Sequence, residues 1–457
     1  MTGINTKGKL LLALGASLIL LASFAFLFIA MEDTDASDSD GYIYNGSIAE
    51  SLSDSNGIND NGSSIAWTMD SVRGYAIYGD YAYVTDKSGI LSKIGIRDGA
   101  VAATADTGIK SGNDFPTVGG GYILDTASGN VYDQELKLHH TIPDTSSQGY
   151  YDDGYWYIVK NNKDCVCYPV DSDRAKWTSA FTFYIDGFTL PVSIAMNDGY
   201  IFYPGIGADD ASKRILYCVD KETGIQTDMV EMTGINGTFW NSGFIFCQDD
   251  SVAVTTHWDN MYGLVVKEDF DTIFRIDVGP DGKFKTDTAA YLSNHINNSY
   301  GSCFVMVGDL AFAQTGLRFM VFNESGEIIA STPEDTRLGK TYSNIAVAAG
   351  DDGFVRGYVS PAGVPNPLVP TDGLICFEYN KKTNEIRSFD LPVGQAVADN
   401  TNPVKIGPNG EVLFAKNDGK LYCFTGPVKE EDPGILIAVV AAVIIAALVA
   451  AVLVIKF

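Results

Sequence analysis

The sequence predicts an all-β protein, an eight-bladed β-propeller carried between two apolar terminal segments. Three observations lead there. First, no long segment of 3.6-residue hydrophobic period occurs after Ser64; short Val-, Ile-, Tyr- and Phe-rich runs alternate with Gly, Asp and Asn turns. Second, a turn-plus-strand unit recurs as GDYAYVT, GGYILD, DGYWYIV, DGYIFYP, SGFIFCQ, GDLAFAQ, DGFVRGY and NGEVLFA, aligned on Asp80, Gly121, Gly154, Gly199, Gly243, Asp309, Gly353 and Gly410. A period of roughly 45 residues with four strands per unit is that of a propeller. Third, residues 9–31 and 435–455 are almost wholly apolar. At about 1.5 Å rise per residue, each is long enough to cross a hydrocarbon core of about 30 Å as a helix.

The domain plan follows. Residues 1–31 are a signal peptide or an N-terminal transmembrane anchor, and both readings stay open. Ser23-Phe24-Ala25 offers a small-x-small cleavage site, yet the apolar run is long for a signal peptide. Residues 32–63, rich in Asp, Ser, Asn and Gly, read as a disordered tether. Residues 64–426 form the propeller, 427–434 a short linker, and 435–457 a C-terminal transmembrane helix. The eight anchors count eight blades, with seven as the alternative. The last unit ends at its third strand, GKLYCFTG, while the strand SSIAWTMD stands unassigned before the first unit. Residues 64–70 are therefore expected to supply the missing fourth strand, pairing with 419–424 and closing the ring.

Charge sets orientation and excludes one class of partner. The chain carries 31 Lys+Arg against 57 Asp+Glu, a net charge of -26, which repels nucleic acid. Lys7 and Lys9 precede the first apolar run, and Glu32, Asp33 and Asp35 follow it. Glu430, Glu431 and Asp432 precede the last run, and Lys456 follows it. Basic flanks stay inside, so the propeller is expected at the cell membrane on the extracellular side. Acceptor sequences for N-glycosylation at Asn45, Asn61, Asn236, Asn297 and Asn323 fit that placement.

The seven cysteines are an odd number, and Cys167, Cys218, Cys376 and Cys423 recur at one strand position. They read as buried apolar fillers rather than a disulfide framework. Cys165 and Cys167, at i and i+2, share one face of a strand and are poorly placed to bridge. His139, His140, His257 and His295 show no ligand spacing, and no cofactor or metal site is read.

Units such as ILYCVDKETG and KLYCFTG, with Trp177 in RAKWTSAF and Trp67 in SSIAWTMD at the fourth-strand position, resemble the pyrroloquinoline-quinone (PQQ)-type propeller repeat. The resemblance covers residues 64–426. It implies the fold; its repeat serves quinone dehydrogenases, membrane-assembly scaffolds and surface proteins alike. A dehydrogenase of that family would carry an adjacent Cys-Cys pair and a docking Trp in most blades. This chain has no such pair and five Trp in all.

Within a four-stranded unit, strands A–D alternate in direction, so B–C and D–A connections share one face of the ring. Segments 204–213, 256–271 and 359–372 read as insertions after strand B, all on that face. The chain ends leave from the other, so the insertions point away from the membrane. His257, Trp258 and Tyr262 are the expected anchors of a binding surface for a protein or glycan partner. The sequence thus reads as a membrane-anchored binding or scaffold module. The alternative is a surface enzyme with its site on the same loops, a hydrolase or lyase ahead of a quinoprotein dehydrogenase.

Overall fold

The computed structural model describes residues 42–44, 47–52 and 57–426, apart from the connections 110–115, 181–194, 207–213, 232–244, 248–259, 292–302, 363–372 and 393–403 and several shorter turns. The apolar ends at 1–31 and 435–457 lie outside the described residues. No helix among those described is long and apolar enough to cross a membrane.

The described strands form eight sheets, seven of four strands and one of six. Sheet 1 sets the pattern: A (Val72–Tyr78), B (Tyr81–Asp86), C (Ile90–Gly95) and D (Val101–Asp106), each antiparallel to the next. Strands A to C are buried along nearly their whole length, whereas D alternates and is mostly exposed. That is why the inner strands read as continuous apolar runs. Neighbouring sheets cover both of their faces, and a strand covered twice has no polar side. Sheets 2 to 7 repeat the order over 116–141, 149–180, 195–231, 245–291, 303–331 and 342–392.

Seams of buried side chains join most consecutive sheets. Tyr83 and Leu91 meet Ile123 and Tyr132 between sheets 1 and 2. Leu124 and Val131 meet Trp156 and Ile158 between 2 and 3. Cys165 and Cys167 meet Ile215 and Tyr217 between 3 and 4. Phe202 lies 6.1 Å from Phe284 across the next seam. Phe312 stacks on Phe377, centroids 5.7 Å apart, between sheets 6 and 7. Ala346 and Cys376 meet Val412 and Phe414 between 7 and 8. Val72 and Ile94 meet Leu413 and Cys423 where sheet 8 reaches sheet 1.

Sheet 8 closes as the strand deficit implies. Its D strand is Ser64–Met69, antiparallel to the third strand, Leu421–Thr425. Ser64 faces Thr425 and Met69 faces Leu421, with a bulge between Ile65 and Trp67. The bulge accompanies a docking contact: the Trp67 indole N–H donates to the Ile96 carbonyl of sheet 1 at 2.6 Å. Trp177, in strand D of sheet 3, repeats it by donating to the Lys221 carbonyl of sheet 4 at 2.9 Å. Each indole covers a glycine of the receiving turn, Gly99 and Gly224, where a Cβ would fall 2.7 and 2.6 Å from ring atoms.

Two expectations are corrected by the strand order. The anchor SGFIFCQ is not a second strand. Ile245–Cys247 is strand A of sheet 5, and strand B is Asn260–Lys267, followed by Phe270–Val278. Segment 256–271 is therefore not an insertion after strand B. The Gly-aromatic pair that marks strand B elsewhere comes, in the sequence, just before strand A of this sheet. The second correction concerns the tether, which is not disordered throughout. Tyr42–Tyr44 and Ser47–Leu52 form a hairpin, and Ile58 is 6% exposed.

The cysteine expectation holds for every described thiol. Cys165, Cys167, Cys218, Cys376 and Cys423 are unbridged, fully buried and in third strands. Burial pushes the Cys167 and Cys218 thiols up to about 12 and raises the other three also. Thiolates are the reactive form. Disulfide-exchange labelling at pH 8 should therefore modify no more than the other two cysteines, Cys247 and Cys303, until denaturant is added. Fast labelling of a third thiol in the native protein would contradict this burial.

Candidate binding face

Strand direction sorts the connections. The third strand of sheet 8 ends at Thr425, opposite the start of strand D at Ser64, so both residues lie at the A–B/C–D end of that sheet. The B–C and D–A connections lie on the opposite face. Of the segments that join such strand ends in the sequence, 181–194, 207–213, 232–244, 292–302, 363–372 and 393–403 lie outside the described residues.

The supports of this second face are described. Asp86 opens the B–C turn of sheet 1, its Oδ1 accepting from the Ser88 N–H and hydroxyl and the Ile90 N–H at 2.7–2.9 Å. Burial pushes its carboxyl up, but these hydrogen bonds outweigh that and hold it below the ordinary value. Arg73, buried, donates to the Ile109 carbonyl at 3.0 Å and meets Asp125 at 3.4 Å, bolting sheet 1 to sheet 2. Arg337 is held by Asp335 at 2.6 Å and by Asp390 of sheet 7 at 2.9 Å. Side-chain pairs thus tie adjacent sheets together at this end of the strands.

Of the expected anchors, only Tyr262 falls among the described residues. His257 and Trp258 lie outside the described residues, between strands A and B of sheet 5 in the sequence. Tyr262 belongs to strand B itself, its Cα paired with Phe246 and Arg275. The insertions at 204–213 and 359–372 keep their B–C position, but strand B runs to Ile206 and to Ala362, so the connections shorten to 207–213 and 363–372.

The A–B/C–D face carries a feature that sequence reasoning missed. Residues 57–60 cross it as a strap over sheets 7 and 8. Gly57 turns at φ 62°, where a Cβ would fall 2.4 Å from the Tyr358 hydroxyl. The Ile58 side chain joins the buried cluster of the 7–8 seam. Its N–H donates to the Tyr358 hydroxyl at 2.6 Å, and that hydroxyl donates to the Ile58 carbonyl at 2.5 Å. Asn59 Nδ2 donates to Glu378 at 3.1 Å, and Arg387 grips Asp60 at 2.9 and 3.1 Å while reaching Glu378 at 3.0 Å. Arg356 closes the network on Glu378 at 2.7 Å. The Arg387 hydrogen bond holds the Asp60 carboxyl below its usual range. Burial pushes Glu378 up, but Asn59, Arg356 and Arg387 together leave it lowered. The visible signal was Ile58, the apolar residue in the polar run SNGINDNGSS.

Other chemistry-bearing groups do not assemble. His139 and His140, on the exposed outer strand of sheet 2, set their Nδ1 atoms 2.8 Å apart. Burial and then His139 lower the His140 pKa. His295 lies outside the described residues. Among those described, no three His, Cys, Asp or Glu side chains come together as metal ligands would. Of the glycan acceptors, Asn61 is exposed just beyond the strap and Asn323 sits in a turn of sheet 6. Asn45, Asn236 and Asn297 lie outside the described residues.

Comparison with known proteins is consistent with this architecture and goes no further than fold. The computationally designed Ika8 protein is 11% identical over 78% of this chain and 96% of its own, with a TM-score of 0.51. BamB from Moraxella catarrhalis is 13% identical over 79% and 99%, TM-score 0.49. The WD40 β-propeller domain of Doa1 is 10% identical over 80% and 98%, TM-score 0.42. No family model matches the chain, and no curated protein does. The chain is an all-β protein of the β-propeller class.

Proposed function

We propose that the chain is a membrane-anchored, extracytoplasmic scaffold whose eight sheets close as an eight-bladed ring and whose B–C/D–A face binds a protein partner. The observation that supports this reading is the pairing of Ser64 with Thr425, which puts the first and last residues of the eighth sheet's outer pair at one face. With both apolar termini in the membrane, the long connections then point away from it. Flanking charges orient the ring outward. The PQQ-type resemblance agrees with a scaffold, and the absence of an adjacent Cys-Cys pair argues against the dehydrogenase of that repeat.

The test uses the full chain in intact membranes. Residues 363–372 are replaced by a Gly-Ser turn, with Lys381→Ala on the opposite face as control. The loop variant should lose capture of the native partner about tenfold or more if the loop holds a binding anchor, and the control should keep it. Protease added to intact cells should remove the ring in both. Equal capture by both variants would remove the case for this face, and a protected ring would reverse the topology.

A further inference from the structure

In seven of the eight described sheets, strand A is an edge strand. Sheet 7 differs. Its strand A, Tyr342–Ala348, pairs on its outer side with Phe354–Ala362 and on its free side with Ser47–Leu52, in parallel. The register runs Ala49 to Ile345, Glu50 to Ala346, Ser51 to Val347 and Leu52 to Ala348. Tyr42–Tyr44 adds the last strand of the six, antiparallel to Ser47–Leu52. The added strand also neighbours strand A of sheet 6, Cys303–Val307, so it lies where the first strands of adjacent sheets converge.

We propose that this edge of sheet 7 is a strand-addition site that the chain fills with its own residues 47–52, and that residues 57–60 are the latch that keeps them there. Parallel pairing over four residue pairs is weak, and a two-stranded hairpin is marginal by itself. The hold therefore comes from the strap at residues 57–60. Residues 53–56 lead directly to Gly57, and Ile58, Asn59 and Asp60 are fixed on Tyr358, Glu378 and Arg387. So short a link gives residues 47–52 a high effective concentration at the edge, which a strand supplied in trans must overcome. Once the latch opens, that advantage falls. The unpaired N–H and C=O groups of Tyr342–Ala348 then suit an extended peptide segment, bound through its main chain. This site is separate from the B–C/D–A face, so its test is independent of the function proposed above.

Two readouts test it on the full chain. Glu50→Cys with Ala346→Cys places thiols on paired positions, and mild oxidation should link them, read as a joined peptide pair by mass spectrometry. Asp60→Ala and, separately, Arg387→Ala remove the exposed grip of the latch. Asp60 is exposed, so its loss leaves the ring intact. Each should lower the link yield, and each should raise retention of a labelled synthetic peptide of residues 46–53 by about tenfold, the effect expected from losing a charge-assisted hydrogen-bonded pair. No link in the parent, an unchanged yield in both latch variants, or a fallen yield without peptide retention would overturn the proposal.

Discussion

Replacing residues 64–69 with a Gly-Ser run of equal length is expected to destabilise the protein by about 5 kcal/mol, a large part of the 5–15 kcal/mol that holds a typical domain. The contributions are separate. Trp67 loses its contact with the 8–1 cluster, worth about 2–3 kcal/mol for a large apolar side chain. Its hydrogen bond to Ile96 contributes about 1 kcal/mol more. Glycine in a strand costs roughly 0.5–1 kcal/mol per residue through unfolded-state entropy. The third strand of sheet 8, Leu421–Thr425, then becomes an open edge. The urea midpoint should fall by about 1 M or more. The same replacement of Val101–Asp106, an equally exposed outer strand that carries no docking tryptophan, should cost clearly less. Equal losses at the two sites would mean that residues 64–69 are an ordinary outer strand and not the closure of a ring.

The second large effect is expected at the docking glycines. Gly224 adopts φ 68° and would place a Cβ 2.6 Å from the Trp177 ring. Alanine there incurs left-handed strain of about 1–2 kcal/mol and must also displace the indole from the Lys221 carbonyl. Gly224→Ala should therefore cost about 3 kcal/mol. Gly154 is the control. Its φ is 80°, yet nothing lies within 4 Å of where a Cβ would sit, so Gly154→Ala should cost the strain only. In a Trp177→Ala background the Gly224→Ala penalty should shrink to the Gly154 value, giving a coupling that a double-mutant cycle reads directly. A penalty at Gly224 that ignores the Trp177 background would show that the indole does not dock there.

These effects trace which parts of the fold were legible beforehand. The strands were legible because neighbouring sheets bury both faces of the inner three, which forces apolar runs such as YAYVTD and RILYCVD between turns. Closure by residues 64–69 was legible as a deficit, since the last unit lacked a fourth strand and one strand stood unassigned. Sheet 5 was misread because a Gly-Phe pair precedes its first strand in the sequence, while no Gly-aromatic pair directly precedes its second, Asn260–Lys267. That misreading placed Tyr262 in an inserted loop, whereas it belongs to strand B. The strap was illegible for a different reason. Its hold comes from Tyr358, Glu378 and Arg387, some 300 residues away in the chain, and a polar run with one isoleucine has no period to reveal it.

The central claim, a ring closed by residues 64–69 with both tethers leaving one face, is most directly tested by electron cryomicroscopy of the full chain in lipid nanodiscs. The account predicts eight blades viewed down the ring axis. It also predicts residues 64–69 as the outermost strand beside 421–425, with density for both tethers leaving a single face toward the lipid. Seven blades, or tethers leaving from opposite faces, would contradict it.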